Sequence, residues 1–325
     1  MKTVTLGATG LRVTPLAYGT WQFGGDWGPV DERAAIAAIA QARSLGVNFF
    51  DTAQAYGFGR AERLLGRALA ADLRSDRESV VIATKGGLRM DGDKLVRDAS
   101  PAWLRKGVEA SLEALGTDHI DLYQVHWPDP HTPLRETAAG LAELVHEGLI
   151  RHVGVSNYTP AQVGEFSTVL PAETVQPLYH LFRRDVEADL LPYAAAHHIG
   201  VLAYGPLAHG LLGGTMTEAT RFGAGDWRAH SPAFTGIGFA YNLEVVAALR
   251  AFAARHGATI AQLAVAWVLA NPAVQVAIVG ARTPAHLAES LGALDLTLSP
   301  ADLAEIDRVA AVAVPVGGPT PEGMS

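Results

Sequence analysis

The chain has 325 residues, of which 49% are hydrophobic, with a formal net charge of −8 and no cysteine. Without cysteine, disulfides, thiolate nucleophiles and thiolate metal sites are excluded, and acids and bases mixed along the chain leave no basic footprint for nucleic acid. The start, Met1-Lys2-Thr3-Val4-Thr5, lacks a signal-peptide apolar region and no uninterrupted apolar run reaches bilayer length, so a soluble cytoplasmic protein with no membrane partner is expected.

The first pattern is Val4–Leu6 and Leu11–Val13 around Gly7-Ala-Thr-Gly10, read as a small hairpin. Eight short apolar runs follow, at 15–19, 46–51, 79–84, 120–126, 151–155, 173–177, 199–204 and 275–279. They are rich in Val, Ile, Leu and Phe without clean alternation, as parallel strands covered on both faces should be. Helical patterns lie between them, for example Glu32–Leu45 and Trp103–Leu115. In the second, Leu104, Val108, Leu112 and Leu115 form one stripe. Ser100-Pro101, Thr159-Pro160, Thr283-Pro284 and Ser299-Pro300 each put a hydroxyl cap before a proline at the first helical position. Gly46 and Gly116 suit helix ends. Strand–helix alternation with short joints predicts one domain over 1–325. Its class is α/β, a (β/α)₈ TIM barrel with the N-terminal hairpin plugging the bottom and a helix at the C-terminus. One joint is long: 205–240 holds a series of glycines and reads as a loop that covers a ligand.

Four residues carry the chemistry. Asp51, Tyr56, Lys85 and His126 fall at or just after strand ends, in Asn48-Phe-Phe-Asp51-Thr-Ala-Gln-Ala-Tyr56-Gly57, Val81-Ile-Ala-Thr-Lys85-Gly86 and Asp121-Leu-Tyr-Gln-Val-His126-Trp127-Pro128. A barrel keeps its active site at that end. Tyrosine titrates near pH 10 and is a poor acid at neutrality, but a buried ammonium beside it favours the phenolate. Lys85 supplies that charge, and Asp51 the anion without which a buried ammonium is costly. His126 can hydrogen-bond a substrate oxygen. Each residue alone has a bland reading: a helix cap, a packing ring, a solvated amine, a core imidazole. Their joint arrival at consecutive strand ends points to protonation of an alkoxide.

These stretches resemble the aldo-keto reductases. The likeness runs from Gly19-Thr20-Trp21 to Gly280–Ala293. It rests on Asp51-Thr-Ala-Gln-Ala-Tyr56-Gly57 with Glu62, Thr84-Lys85, Val125-His126-Trp127-Pro128, Gly154-Val155-Ser156-Asn157, Tyr204-Gly-Pro206-Leu207 and Gly280-Ala-Arg282-Thr283. The resemblance implies hydride transfer between NADP(H), with NAD as the alternative, and a small-molecule aldehyde, ketone or alcohol. It implies a catalytic tetrad of Asp51, Tyr56, Lys85 and His126. The His, where double-bond reducing relatives have Glu, implies carbonyl reduction.

The cofactor residues it implies include Thr20, Trp21 and Asp51. Ser156, Asn157 and Gln176 would hold the nicotinamide carboxamide, and Tyr204 would stack on its ring. Gly205, Pro206, Leu207 and Gly210 would follow the pyrophosphate. Gly280, Arg282, Thr283, His286, Glu289 and Ser290 would surround the adenosine, with Arg282 on a 2′-phosphate. Gly205 stands where Ser is common in the family, His286 where Gln or Arg is usual, and Ser290 where Asn is usual. No Gly-x-Gly-x-x-Gly opens a helix after the first strand, so no Rossmann domain is expected.

Trp21, Tyr56, His126 and Trp127 are the candidate substrate wall. Phe58 and Asp226-Trp227-Arg228 follow, and the short tail Val312–Ser325 leads to the expectation of an open pocket. The histidines form no metal pattern. Two competing readings remain. One is a cofactor-binding regulatory subunit like the β subunits of potassium channels. The other is a hydrolytic barrel using Asp51, which leaves Lys85 and Tyr56 unexplained. The sequence does not fix the oligomeric state.

Overall fold

The computed structural model describes residues 1–25, 30–223, 226–281 and 283–323. The N-terminal hairpin pairs β1 (Val4–Thr5) with β2 (Arg12–Val13), antiparallel. The next strands are β3 (Leu16–Gly19), β4 (Phe49–Asp51) and β5 (Val81–Gly86). A second hairpin follows, β6 (Leu88–Asp91) with β7 (Lys94–Arg97). The chain continues through β8 (Ile120–Val125), β9 (Ile150–Ser156), β10 (Thr174–Gln176), β11 (Gly200–Tyr204) and β12 (Val276–Gly280).

Strands β3, β4, β5, β8, β9, β10, β11 and β12 close a barrel, each parallel to its neighbours, with helices in the joints. The fold is therefore the (β/α)₈ barrel. All eight apolar runs of the sequence are its strands. The second run starts later than expected, at Phe49, because Gly46 turns the chain out of the preceding helix at φ +92°. The third extends further, to Gly86, so Lys85 lies inside the strand.

Two packing regions follow from strand geometry, since alternate side chains point in and out. The inner one contains Ala17, Phe49, Ala83, Leu122, Leu202 and Val276, together with Leu6 and Val13 from the first hairpin, all buried. The hairpin thus plugs the barrel bottom, as its sequence suggested. Gly7, at φ +50°, makes this possible: a Cβ there would lie 2.2 Å from the Gly200 nitrogen. The larger core lies between the strands and the helices. Ser100, Thr159, Thr283 and Ser299 all cap helices with proline next, and Gly116 ends Pro101–Leu115 at φ +70°.

Helix Gly236–Arg255 is long and apolar enough to cross a membrane by length and composition. Here it buries Phe239, Val246, Leu249 and Phe252 and packs against helices Ile260–Ala270 and Pro300–Ala310. Its buried Asn242 ties down the tail, donating to the carbonyls of Ala233 and Val314 and accepting from the Val314 nitrogen. Such an arrangement suits an outer barrel helix.

One glycine fixes the strand end that carries the lysine. A Cβ on Gly86 would lie 1.9 Å from the Tyr123 hydroxyl, and Tyr123 is fully buried. Gly86→Ala is expected to cost about 1–3 kcal/mol by overpacking, read as a lower urea midpoint. An unchanged midpoint would show that Tyr123 has room to yield.

Candidate active site

Strands β4 and β5 are hydrogen-bonded neighbours, with Asp51 opposite Ala83. This register brings Asp51 and Lys85 together at one end of the barrel. The Lys85 ammonium lies 2.6 Å from Asp51 Oδ1 and donates to the Thr52 carbonyl at 2.9 Å. Both side chains are buried, at 1% and 4% exposure. Burial pushes the Lys85 pKa below the usual lysine value, and the Asp51 carboxylate pulls it partly back. The other Asp51 oxygen accepts from Gln176 Nε2 at 2.9 Å, which ties β4 to β10 across the barrel.

Tyr56 reaches the same place from the loop after β4. Its ring centre lies 5.3 Å from the Lys85 ammonium. It stacks with Trp21 at 6.2 Å and meets the His126 ring edge-on at 5.8 Å. His126 follows β8 and is anchored by its nitrogen on the Gly86 carbonyl. Burial drives its pKa well below the ordinary histidine value, and the Lys85 charge adds to that, so the imidazole is neutral at neutral pH. Its Nδ1 is buried with no partner among the described residues, leaving the other ring nitrogen to meet a ligand. The structure thus gathers Asp51, Tyr56, Lys85 and His126 into one cluster.

Two cavities meet over this cluster. One, of about 270 Å³, is walled by Trp21, Tyr56, Phe58, His126, Trp127 and residues beyond them. The other is a groove of about 450 Å³ leading away past Thr20, Tyr204, Gly205, Pro206, Leu207, Gly210 and Gly280. Trp21, Tyr56, Gln176 and Tyr204 line both, while Asp51 lies in the groove. Ser156 and Asn157 line the first cavity.

Their polar groups are held in advance. The Ser156 hydroxyl donates to the Gln176 carbonyl at 2.8 Å, and Asn157 Nδ2 donates to the His126 carbonyl at 3.1 Å. The Tyr204 hydroxyl donates to Asn157 Oδ1 at 2.9 Å. Gln176 spends its amide nitrogen on Asp51, which leaves its oxygen as an acceptor. Gly205 sits at φ +69°, and a Cβ there would lie 2.7 Å from Leu178, which accounts for glycine at this point.

Of the candidate adenosine residues, Gly280 lines the groove, while Thr283, His286, Glu289 and Ser290 are not among its walls. Thr283 spends its hydroxyl capping Pro284–Leu291, and His286 is exposed on that helix. Ser290 is 4% exposed and donates to the His286 carbonyl at 2.9 Å, so only its lone pairs are left for a ligand. Glu289 is half-buried, with its carbonyl accepting from Gln262. Arg282 lies outside the described residues.

Sequence reasoning missed several wall residues. The second hairpin contributes Leu88, Met90, Asp93 and Leu95 to the first cavity, and the tail contributes Gly318, Pro319 and Pro321. The tail does not leave the pocket open: Arg97 pairs with Glu322 at 2.8 Å and pins the tail beside the cavity. The long loop does cover the groove, through His209, Gly210, Thr215, Met216 and Arg228. Within it, Ala208 and His209 take left-handed backbone angles, and His209 is fixed by Arg228, which donates to its carbonyl at 3.0 Å. Trp227 packs on the His209 ring at 4.8 Å. Among the described residues no cluster of His, Asp and Glu has the arrangement of a metal site.

Residues 15–311 match the family model described as the aldo/keto reductase family. The chain belongs to that family. It is 40% identical to aldo-keto reductase YhdN of Bacillus subtilis, over 100% of this chain and 98% of the relative. It is 35% identical to the NADH-specific methylglyoxal reductase of Escherichia coli, over 93% and 96% of the two chains. Among solved structures, the glycerol dehydrogenase AKR11B4 of Gluconobacter oxydans superposes with a TM-score of 0.89 at 37% identity, covering 98% of each chain. The protein is therefore an oxidoreductase of the nicotinamide-dependent kind.

Proposed function

We propose that the chain, working as one barrel domain, reduces aldehydes and ketones with NADPH. The observation that carries this reading is the buried Lys85–Asp51 pair at 2.6 Å beneath Tyr56, with a neutral imidazole completing the floor of the cavity. When bound, the nicotinamide supplies the hydride. Every other part belongs to the chain. Tyr204 offers a ring face for the nicotinamide, and Ser156, Asn157 and Gln176 are placed to orient its carboxamide. His126 hydrogen-bonds the carbonyl oxygen without adding charge. Tyr56 gives its phenolic proton to that oxygen as it becomes an alkoxide, and the Lys85 ammonium stabilises the phenolate left behind. Asp51 favours the charged form of Lys85 against the burial that lowers its pKa.

Two features of the groove support a dinucleotide as its occupant. Glycines at 205, 210 and 280 let backbone approach a ligand, and the conformation at Gly205 and Gly210 is left-handed. The preference for a 2′-phosphate rests on Arg282, since a guanidinium pairs strongly with phosphate. Arg282→Ala is expected to weaken NADPH binding by at least about tenfold more than NADH binding, read by fluorescence titration with each cofactor. Equal losses would reject the 2′-phosphate role and favour NADH, the cofactor in the name of the Escherichia coli relative. Turnover on a panel of aldehydes, followed by nicotinamide absorbance, tests the reaction itself. Tight NADPH binding without turnover on any carbonyl would favour a regulatory subunit.

A further inference from the structure

Among the described residues that line the substrate cavity, one charged side chain, Asp93, has no ion pair. The second hairpin turns at Gly92-Asp93 and alternates, so Leu88, Met90, Asp93 and Leu95 line the cavity while Lys94 leaves on the other face. Asp93 is exposed at the rim, and no cation lies within ion-pair distance of it among the described residues. Behind the wall residue Trp127 stands Arg97. Its guanidinium lies 5.0 Å from the Trp127 ring centre and donates to the Pro128 carbonyl at 3.2 Å. Its charge is already taken by Glu322, with contacts of 2.8 and 3.0 Å.

The basic groups beneath the cavity and along the groove are committed too. Lys85 is held by Asp51, and Arg228, the cation of the groove, by Asp226 at 2.6 Å. The imidazoles of His126 and His209 are kept neutral by burial, His209 with its pKa down to about 4. Among the described residues that line this cavity, an entering carboxylate would lose water and meet one unpaired carboxylate but no available cation.

We infer that the cavity selects carbonyl compounds that carry no carboxylate, and that the Arg97–Glu322 pair, with Asp93, imposes the choice. This rests on the carbonyl-reductase reading above. Glu322 neutralises the guanidinium behind Trp127 and fastens the tail to the second hairpin. Negative charge on the substrate is thereby refused at the mouth, while Trp21, Trp127, Met90 and Pro319 offer contact to neutral, apolar or aromatic bodies.

Two aldehydes of the same shape test it: 4-formylbenzamide and 4-formylbenzoate, with NADPH and the full chain. The wild type should favour the amide in kcat/KM by at least about tenfold. Glu322→Gln should narrow that ratio by about tenfold, because the guanidinium is released to pair with the carboxylate. Asp93→Asn should narrow it by less. Arg97→Gln added to Glu322→Gln should restore the preference, whereas a merely loosened tail would leave the double variant like the single one.

Equal kcat/KM for the two aldehydes in the wild type, or a ratio untouched by Glu322→Gln, would overturn the inference. If neither aldehyde is reduced, the reductase reading fails, and binding still decides the charge rule. Butanamide and butanoate are then titrated against the NADP-loaded protein, read by tryptophan fluorescence. Tighter butanamide binding that Glu322→Gln reverses supports the rule, and equal binding sinks it.

Discussion

Tyr56→Phe is expected to lower carbonyl reduction by about 10²–10⁴-fold, the usual contribution of a positioned general acid. NADPH affinity should stay within about twofold, since the change removes one oxygen and keeps the ring. That ring forms walls of both cavities, stacked with Trp21 at 6.2 Å and edge-on to His126 at 5.8 Å. The measurement is a pair: kcat from the loss of reduced nicotinamide absorbance, and Kd from tryptophan fluorescence. A wild-type rate in the variant would remove Tyr56 as the acid. The neighbouring imidazole is a poor substitute. Burial and the Lys85 charge hold His126 neutral, so at neutral pH it is a hydrogen-bond donor rather than a source of protons. A small loss in Tyr56→Phe with a large one in His126→Ala would reverse that assignment.

The barrel was legible because its strands are short, apolar runs separated by helices with glycine or hydroxyl caps, signals contained within a few residues each. The cluster of four was legible for the same reason: each member lies near the end of such a strand or in the loop that follows it, and strand order does the rest. Register then decides what sequence leaves open. Pairing of β4 with β5 puts the Asp51 carboxylate on the Lys85 ammonium, and Gln176 adds a bond from 125 residues away. The second hairpin was missed although it carries a glycine-first two-residue turn, with Gly92 at φ +60°. Its strands, with Arg89, Asp91, Lys94 and Arg97 among eight residues, are too polar to stand out beside the barrel strands.

The tail was misjudged for a different reason. Its course depends on Arg97 meeting Glu322, 225 residues apart, and on Gly318 passing over His209, where a Cβ would lie 3.3 Å from the ring. No local pattern encodes such contacts. Ser290 shows the same limit at smaller scale. Its place on the last barrel helix could be read, but its hydroxyl turns inward to the His286 carbonyl.

Lys85→Met should reduce the rate by at least about 10²-fold, because it removes a preorganised charge from beside the developing phenolate. It should also cost about 3–5 kcal/mol of stability, since Asp51 would be left as a buried carboxylate without its cation. Asp51 is 3% exposed, so water cannot replace the ammonium without rearrangement. The two losses separate in the double variant Lys85→Met/Asp51→Asn. Neutralising the orphaned acid should recover much of the melting temperature and none of the rate.

The pH dependence gives a third reading of the same residue. Burial sets the Lys85 pKa below that of an ordinary lysine, and the ammonium exists only below that pKa. Wild-type reduction should therefore fall as pH rises through it, and this limb should be missing from the profile of Lys85→Met. A variant that keeps both the wild-type rate and its alkaline limb would show that the amine serves only to hold the two strand ends together.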